Sequence, residues 1–217
     1  MNKERLTGNL SALKNETGRT EMEKIATKLE GVYIIEPKVF GDQRGYFMET
    51  WSTRNFEEMG LHYDFVQDNQ SRSSKGVLRG LHFQKQHPQT KLVRAIRGEV
   101  FDVVVDLRAG SSTYGKWHGE LLSEENKKQF LVPKGFAHGF LVMSETAEFC
   151  YRCDDYYHPE DEGGVAWNDP EIGIAWPKLE GGYPGTASGE GYTVDGVPLK
   201  LSDRDTKWPG IKDAYKF

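Results

Sequence analysis

The chain has 217 residues, of which 37% are hydrophobic and 28% charged, and it carries a formal net charge of −5 with a pI near 5.7. This length allows one large or two small domains, and the acidic balance argues against binding to nucleic acid. No apolar run approaches the ~18 residues of a membrane span, and the N-terminus lacks the continuous apolar stretch of a signal peptide. We therefore expect a cytoplasmic globular protein without membrane contact.

No break in composition divides the chain, so a single domain is expected over residues 25–217. Residues 1–24 are polar and predict a flexible lead, within which Met22 offers an alternative start that would leave residues 1–21 as an upstream extension. From about residue 178 the sequence predicts a loop-rich C-terminal extension, and the glycine-rich segment 180–191 has the composition of an inserted loop.

Short apolar or alternating runs separated by turn residues dominate the middle of the chain, and only residues 53–59, closed by Gly60, favour a short helix. We interpret 91–97 and 99–107 as a hairpin that turns at Gly98. About ten short strands with almost no helix indicate an all-β fold, either a double-sheet sandwich or a barrel. The other predicted strands are 32–37, 38–40, 45–51, 65–71, 76–84, 117–122, 128–132, 136–143 and 148–152.

Residues 76–84, which read Gly-Val-Leu-Arg-Gly-Leu-His-Phe-Gln, are the stretch around which the rest of the chain is arranged. Simple alternation along an extended chain would place Arg79 on one face and His82 on the other. An arginine and a histidine in an apolar strand are costly unless they face a wet cavity, so we predict His82 to be the chemical centre. The alternative is a core histidine that one backbone carbonyl satisfies.

The two cysteines, Cys150 and Cys153, have the spacing of a C-x-x-C pair, but on a strand they point to opposite faces. No second pair exists to complete a zinc site, so we expect neither a disulfide nor a bound zinc ion. Reduced thiols of this kind fit a cytoplasmic protein best.

Residues 133–139 match the P-x-G-x-x-H spacing of the second cupin motif, with His138 at the histidine position. Cupins are double-sheet jelly-roll barrels that often hold a metal ion. Gly98 can close the first cupin motif, but Lys91 then stands at the metal-binding glutamate position, and only His87 falls near the H-x-H. Because an ammonium group repels a divalent cation, the sequence predicts a jelly-roll barrel with a cationic site and no metal.

A cationic barrel mouth suits phosphate or diphosphate oxygens, and Arg44, Arg79 and Lys91 are candidates to bind them. The alternative is that each is an ordinary surface charge paired with a carboxylate. Tyr151 lies in a predicted strand, either as an aromatic wall residue or as a proton donor opposite a base. Asp205 is either a surface carboxylate or the group that orients a histidine ring.

Several long motifs, present together and in order, resemble the dTDP-4-dehydrorhamnose 3,5-epimerase family. The resemblance runs from about residue 25 to 177 and resumes near 199–207, where Arg204 stands at a position that is commonly lysine. The motifs that carry it are residues 36–45, 65–69, 77–84, 98–103, 133–140, 156–159 and 167–177.

The resemblance implies an enzyme that inverts C3 and C5 of a nucleotide-linked 4-keto-6-deoxyhexose without a metal or organic cofactor. It implies His82 as the base, oriented by Asp205, and Tyr151 as the acid, with Lys91 suited to stabilise the enolate. It also implies a homodimer that exchanges N-terminal strands, so that part of each site comes from the neighbouring subunit. The residues it places at the substrate are Arg44, Glu49, Gln67, Asp68, Asn69, Arg79, Lys91, His138, Tyr156, Glu162 and Arg204.

Three other functions remain open from the sequence. A single-site epimerase, acting at C3 or C5 alone on a related 4-keto-deoxysugar nucleotide, would use the same base and acid. A cupin that binds a sugar nucleotide without turning it over would need neither group for chemistry. A metal-dependent cupin oxygenase would need ligands for iron, and Lys91 argues against that function.

Overall fold

The computed structural model describes residues 22–179, 193–194 and 197–217. Residues 1–21 of the predicted lead and the glycine-rich segment 180–191 therefore lie outside the described residues. Within these residues, one short helix, α1 (Thr53–Glu58), and one 3-10 turn (Pro159–Asp161) accompany the strands. In chain order the strands are β1 (Met22–Ala26), β2 (Tyr33–Pro37), β3 (Val39–Asp42), β4 (Gly45–Met48), β5 (Gln67–Ser74), β6 (Leu78–Gln84), β7 (Lys91–Arg97), β8 (Glu99–Asp106), β9 (Trp117–Ser123), β10 (Gln129–Val132), β11 (Phe136–Val142), β12 (Thr146–Cys153), β13 (Glu162–Gly164), β14 (Thr193–Val194) and β15 (Val197–Pro198).

Eleven of the described strands form two antiparallel sheets, which confirms the predicted all-β, double-sheet architecture. The six-stranded sheet has the order β1-β2-β10-β7-β12-β5, and the five-stranded sheet has the order β13-β6-β11-β8-β9. Each sheet combines strands that are distant in the sequence, because the chain passes repeatedly from one sheet to the other, as in a jelly roll. The strands β3 and β4 pair with each other as a separate hairpin.

Apolar side chains from both sheets pack together in the space between them. Phe130 and Phe149 from the six-stranded sheet form one buried cluster with Val104 and Phe140 from the five-stranded sheet. The ring centroids of Phe140 and Phe149 lie 4.4 Å apart. Each such side chain contributes ~1.5–3 kcal/mol on burial, so this cluster holds the two sheets face to face.

The predicted hairpin at Gly98 is wrong, because β7 belongs to the six-stranded sheet and β8 to the five-stranded sheet. Gly98 is the corner between the sheets, where its φ is +67° and a Cβ would lie 2.1 Å from the carbonyl oxygen of Thr146. A hairpin turn and such a corner both require a glycine with positive φ, so the turn signal alone does not separate them. Alternation along β8 places Val104 in the interior cluster and Val105 in the outer one.

A one-residue bulge in β6 places Arg79 and His82 on the same face, so the alternation predicted for this strand is wrong. His82 pairs with His138 and Arg79 pairs with Phe140, so the register shifts between these two pairs. Gly80 occupies the bulge with φ of +134°, and a Cβ there would lie 2.6 Å from the Cα of the facing strand's glycine. Because an extra residue reverses the alternation beyond it, the arginine and the histidine both line the same cavity.

The two ends of the described chain are anchored to the sheets. β1 begins at Met22 and pairs with β2, so residues 22–24 of the predicted lead belong to a strand. Near the C-terminus, Leu199 and Leu201 are buried in one cluster with Leu78 of β6. This packing brings the segment that carries Asp205 beside the strand that carries the predicted base.

The predicted short helix is confirmed as α1. The backbone N–H of Asn55 donates to Ser52 Oγ at 3.2 Å, which caps the first turn, and Gly60 follows with φ of +74°. Phe56 is buried with Ile35 and Leu92, and so α1 covers part of the outer face of the six-stranded sheet.

Candidate active site

A cavity of about 670 Å³ lies between the two sheets. This volume is within the range of small-molecule sites in proteins, ~300–1,000 Å³. Most of the site residues predicted from the sequence line it together, although they come from different strands and from both sheets. They are Gln67, Asn69, Arg79, His82, Lys91, His138, Tyr151, Glu162, Arg204 and Asp205.

His82 and Asp205 form an acid–base pair in the wall of this cavity. The Nε2 atom of His82 lies 2.5 Å from Asp205 Oδ1, so the partner of the ring is a carboxylate rather than a backbone carbonyl. Trp208 Nε1 donates to the same oxygen at 3.3 Å, and the backbone N–H of Asp205 donates to Ser202 Oγ at 3.2 Å. The carboxylate is thus buried and held from several sides, as the orienting group of a catalytic histidine requires.

The charge state of Asp205 fixes the tautomer of the His82 ring. Burial alone would raise the pKa of Asp205, but the hydrogen bond and charge of His82, with bonds from Ser202 and Trp208, bring this pKa below its usual value. The carboxylate is therefore ionised at neutral pH and accepts the proton on His82 Nε2. In the neutral ring this leaves the lone pair on Nδ1, which is the atom able to take a proton.

Tyr151 lines the same cavity from the opposite sheet. It lies on β12 of the six-stranded sheet, whereas His82 lies on β6 of the five-stranded sheet. Lys91 Nζ lies 5.9 Å from the centroid of the Tyr151 ring. Burial and the neighbouring Cys153 raise the pKa of Tyr151, although Arg79 acts in the opposite direction. The phenol is therefore protonated at neutral pH and is chemically able to donate a proton.

Lys91 and His138 both line the cavity, and His138 pairs with a second carboxylate, Asp102. His138 Nε2 lies 2.8 Å from Asp102 Oδ1, and both side chains are buried. Burial raises the pKa of Asp102, although the charges of His138 and Lys91 oppose this, and burial lowers the pKa of Lys91. An ammonium group in such a weakly polarisable interior interacts strongly with a negative charge that develops nearby.

Cationic and polar side chains also line this cavity. Arg79 Nη2 donates to Ser73 Oγ at 3.0 Å, and Arg204 Nη1 forms an ion pair with Glu162. Guanidinium groups bind phosphate oxygens through paired N–H donors. These two arginines therefore give the cavity a positive contribution suited to an anionic group.

Arg44 and Glu49, which were predicted as substrate contacts, lie away from this cavity in the single chain. Arg44 follows β3, its side chain is 85% exposed, and its Nη2 lies 2.5 Å from Asp42 Oδ2. Glu49 follows β4 and accepts a hydrogen bond from Asn55 Nδ2 of α1. The hairpin formed by β3 and β4 carries this part of the chain outside both sheets, which is why neither residue reaches the cavity.

Asp68 and Tyr156 are also absent from the lining of this cavity. Asp68 sits between two cavity-lining residues of β5, so alternation turns it to the outer face, where Arg152 Nε lies 3.5 Å from its Oδ2. Tyr156 is 61% exposed, and the adjacent Tyr157 lines the cavity instead. This loop has no periodicity that would have distinguished the two tyrosines from the sequence.

Several polar residues in or beside the cavity were not predicted as site residues, and three of them show which signals the sequence held. Asp102 shares a strand face with Val104, which the structure places in the interior, and a carboxylate among valines was a signal that it needs a partner. Gln84 follows His82 by two residues and so shares its face, which was also visible in the sequence. Tyr157 gave no such signal, because its position depends on the path of a loop.

The two cysteines are unpaired and differ in burial. Cys153 is buried and Cys150 is partly exposed, and both are free thiols. Burial raises the pKa of Cys153 to about 11. Within the described residues, no three His, Cys, Asp or Glu side chains come close enough to hold a metal ion. In the same part of the chain, no helix has the length and apolar character needed to span a membrane.

A double-sheet jelly roll that holds two histidine–carboxylate pairs, a half-buried lysine and a phenol defines an acid–base enzyme of the cupin type. The family profile described as dTDP-4-dehydrorhamnose 3,5-epimerase matches residues 26–213. The chain belongs to this family.

Curated relatives and solved structures agree with this assignment. The dTDP-4-dehydrorhamnose 3,5-epimerase of Methanothermobacter thermautotrophicus is 57% identical over 193 residues, which cover 89% of this chain and 96% of the relative. The Escherichia coli enzyme of the same name is 56% identical over 162 residues, covering 74% and 88%. The crystal structure of a Legionella pneumophila 3,5-epimerase in complex with dTDP-4-keto-L-rhamnose has a TM-score of 0.79 and 45% identity, covering 90% and 98%.

A related enzyme with a different name also shares the fold. The crystal structure of a 3′-monoepimerase from Streptomyces bikiniensis, in complex with dTDP-quinovose, has a TM-score of 0.75 and 31% identity. The match covers 87% of this chain and 87% of that one. The fold therefore occurs in both double and single epimerases, and the outcome depends on details of the site.

Proposed function

We propose that this chain epimerises dTDP-4-dehydro-6-deoxy-D-glucose at C3 and C5 to give dTDP-4-dehydro-L-rhamnose. The observation that supports this most strongly is that the His82–Asp205 pair and Tyr151 line one cavity from opposite sheets. A base on one side of a sugar ring and an acid on the other are what inversion at a carbon requires. The similarity to the Legionella pneumophila enzyme, whose complex contains dTDP-4-keto-L-rhamnose, supports the same substrate class.

In the proposed mechanism, the neutral ring of His82 removes the proton from the carbon beside the C4 ketone. The electron pair of the broken C–H bond moves into the enolate, whose oxygen carries the negative charge. Lys91 is the candidate to stabilise this oxygen, because its side chain lines the cavity and lies beside the ring of Tyr151. Tyr151 then donates its phenolic proton to the opposite face of the carbon. Solvent removes the proton from His82 and restores that of Tyr151 before the second carbon reacts.

The diphosphate of the substrate would bind to Arg79 and Arg204. Both guanidinium groups lie on the cavity that holds the proposed base. Contacts to a part of the substrate that does not react contribute to catalysis by holding the hexose ring at the correct distance from His82 and Tyr151. Gln67, Asn69, His138 and Glu162 line the same cavity and are proposed to contact the sugar or the nucleotide.

No metal or organic cofactor takes part in this proposal. The ligand chemistry at the cupin metal position supports this, because the ammonium group of Lys91 stands where the motif has a glutamate. A metal-dependent oxygenase would instead contain stoichiometric iron, and elemental analysis of the purified protein would detect it. We also infer a cytoplasmic location, since reduced cysteines fit that compartment.

We further propose a homodimer that exchanges N-terminal strands, with Arg44 and Glu49 reaching the cavity of the neighbouring subunit. The exposed hairpin of β3 and β4 supports this, because Tyr46 is 59% and Phe47 57% exposed there. Large apolar side chains on a projecting hairpin are typical of a surface that another chain covers.

Mixed dimers test this arrangement. Arg44→Ala and His82→Asn variants would each be inactive alone, and refolding them together would restore about a quarter of the parental activity, because each mixed dimer has one intact site. No recovery in a sample shown to contain mixed dimers would mean that each site belongs to one subunit.

Proton exchange in heavy water tests the proposed reaction. Incubation of the enzyme with the 4-keto sugar nucleotide in D₂O should place deuterium at both C3 and C5, as measured by NMR. Label at one carbon alone would identify a single-site epimerase, which the shared fold of the Streptomyces bikiniensis monoepimerase makes the main alternative.

A sugar-nucleotide-binding cupin without catalysis is the other alternative. His82→Asn separates it from an enzyme, because loss of a general base lowers turnover by ~10²–10⁴ while substrate affinity changes little. If the parent protein binds the nucleotide sugar and incorporates no deuterium, the protein is a binding module.

A further inference from the structure

Two loops form part of the rim of the cavity. Residues 85–90, the first rim loop, follow β6, and residues 154–161, the second rim loop, follow β12. Gln89 of the first rim loop and Tyr157 of the second line the cavity. The position of both loops relative to β6 therefore affects the shape of the site around His82.

The side-chain amide of Gln84 joins both rim loops to the end of β6. Gln84 is 4% exposed and lies two residues after His82 on the same strand. Its Nε2 donates to the carbonyl oxygen of His87 at 2.6 Å and to that of Tyr156 at 3.1 Å. Its Oε1 accepts from the backbone N–H of His158 at 2.8 Å. One buried side chain thus contacts the backbone of three residues in the two rim loops.

The two rim loops are also fastened directly to each other. The rings of His87 and His158 stack with centroids 4.2 Å apart and an interplanar angle of 20°. Asp161 Oδ2 accepts from the backbone N–H groups of Gln86 at 2.9 Å and of His87 at 2.8 Å. The loops are therefore expected to move together, and the amide of Gln84 connects this unit to the strand that carries the base.

The amide of Gln84 has one possible orientation in this environment. Its two N–H groups face two carbonyl oxygens, and its oxygen faces an N–H, so a flipped amide would place oxygen against oxygen. Both donors are occupied, which leaves at most one lone pair of Oε1 for a ligand. Gln84 therefore cannot donate a hydrogen bond to the substrate while these contacts persist.

We propose that Gln84 is a positioning residue that holds the rim loops, and with them Tyr157, at a fixed place relative to His82. The inference rests on the proposed epimerase function. Its effect on the reaction is indirect, because a rim that is free to shift binds and orients the nucleotide sugar less well. Misplacement of a substrate by ~1 Å can lower the rate by ~10²-fold.

Two substitutions test this role. Gln84→Glu keeps the size and the acceptor for His158, but its carboxylate has no donor for the two carbonyl oxygens. Gln84→Met keeps the length of the side chain and adds no charge. It tests the positioning role if Gln84→Glu does not fold. In either variant, the backbone amides of the second rim loop should exchange with D₂O roughly tenfold faster or more. KM should rise more than kcat falls, and kcat/KM should decrease by ~10–100-fold.

Gln86→Glu is the matched control. Gln86 is exposed and contributes its backbone N–H to the contacts described above, so the same charge enters two residues further along the chain while the amide contacts of Gln84 stay intact. Its kcat/KM and its loop exchange should stay within about twofold of the parent values.

Each other outcome overturns the proposal. Parental exchange of both rim loops in the Gln84 variants would mean that the amide does not hold them. Faster exchange with parental kcat/KM would mean that the loop position is unimportant for the reaction. If the parent protein places no deuterium in the sugar, the epimerase function fails, whereas the loop exchange still decides whether Gln84 holds the rim.

Discussion

His82 and His138 face each other in register on β6 and β11, and the Nε2 atom of each ring contacts a carboxylate. The two carboxylates differ in their environment. The contact with His82 outweighs burial and lowers the pKa of Asp205, whereas burial dominates and raises the pKa of Asp102. Neighbouring pairs whose environments separate their proton affinities are typical of sites that assign acid and base roles to different groups. This difference in pKa supports His82 as the base and is consistent with a role for His138 in binding the substrate.

Asp205→Asn should lower kcat by ~10²–10⁴-fold with little change in KM, because an amide does not hold the Nε2–H tautomer of His82 as a carboxylate does. Steady-state kinetics with the 4-keto sugar nucleotide would measure this. Asp203→Asn is the matched control, since Asp203 is exposed in the same segment and should leave kcat within about twofold. A loss that appears mainly in KM would show that Asp205 contributes to binding rather than to the base.

Tyr151→Phe should separate proton removal from inversion. His82 and Asp205 remain, so the substrate should still exchange its proton for deuterium on the face of the base. Product formation should fall by ~10²–10⁴-fold, because no phenol protonates the opposite face. NMR in D₂O distinguishes labelled substrate from inverted product. Tyr215→Phe, at an exposed tyrosine outside the cavity, should behave as the parent. Inversion at the parental rate in Tyr151→Phe would assign the acid to another group.

The sequence predicted most residues that meet in the cavity, because long motifs carry the family resemblance through several strands. Local patterns were less informative where one residue changes the geometry. The bulge at Gly80 reverses the alternation of β6, and nothing in the local pattern distinguishes a bulge glycine from a strand glycine. As a result, Arg79 was predicted on the wrong face relative to His82.

The structure also differs from the sequence-based predictions at Asp68 and Gly98. Asp68 was predicted at the substrate together with its neighbours Gln67 and Asn69, although alternation on a strand allows only every second residue to face one cavity. Gly98 was interpreted as a hairpin turn, and the sheet to which β8 belongs depends on contacts with β11, far along the chain. Long-range pairing of this kind has no signature in a short window of sequence.

Protonation of Asp106 should lower the free energy of unfolding in acid by a defined amount. Burial alone would raise its pKa, but hydrogen bonds from Arg108, Ser111 and Thr113 at 2.7–2.9 Å lower it from 3.8 to about 2. Since the folded-state pKa is below the unfolded value, the stabilisation is complete above about pH 4 and is lost as the pH falls towards 2. A shift of this size corresponds to roughly 2 kcal/mol.

Urea unfolding of Asp106→Asn across this pH range would measure that contribution. The variant should be less stable than the parent by roughly 2 kcal/mol at pH 7, and the difference should shrink between pH 4 and pH 2. Asp213→Asn, at an exposed aspartate, serves as the control and should follow the parent curve. A difference that is independent of pH would attribute the loss to packing rather than to the ionised carboxylate.

Gly80→Ala should destabilise the protein more than another glycine substitution at positive φ. A Cβ at Gly80 would lie 2.6 Å from the Cα of Gly139, whereas Gly110, with φ of +80°, has nothing within 4 Å of its Cβ position. Gly110→Ala therefore includes only the backbone cost, ~1–2 kcal/mol. Gly80→Ala adds the collision with β11, so we expect a loss of roughly 2–6 kcal/mol in urea unfolding.

The collision lies between Arg79 and His82, so the activity of Gly80→Ala should fall further than its loss of stability explains. Activity would be measured well below the unfolding midpoint. If Gly80→Ala and Gly110→Ala lose equal stability, the glycine at position 80 is needed only for its backbone conformation. The close approach of β6 and β11 would then not be the reason for the glycine.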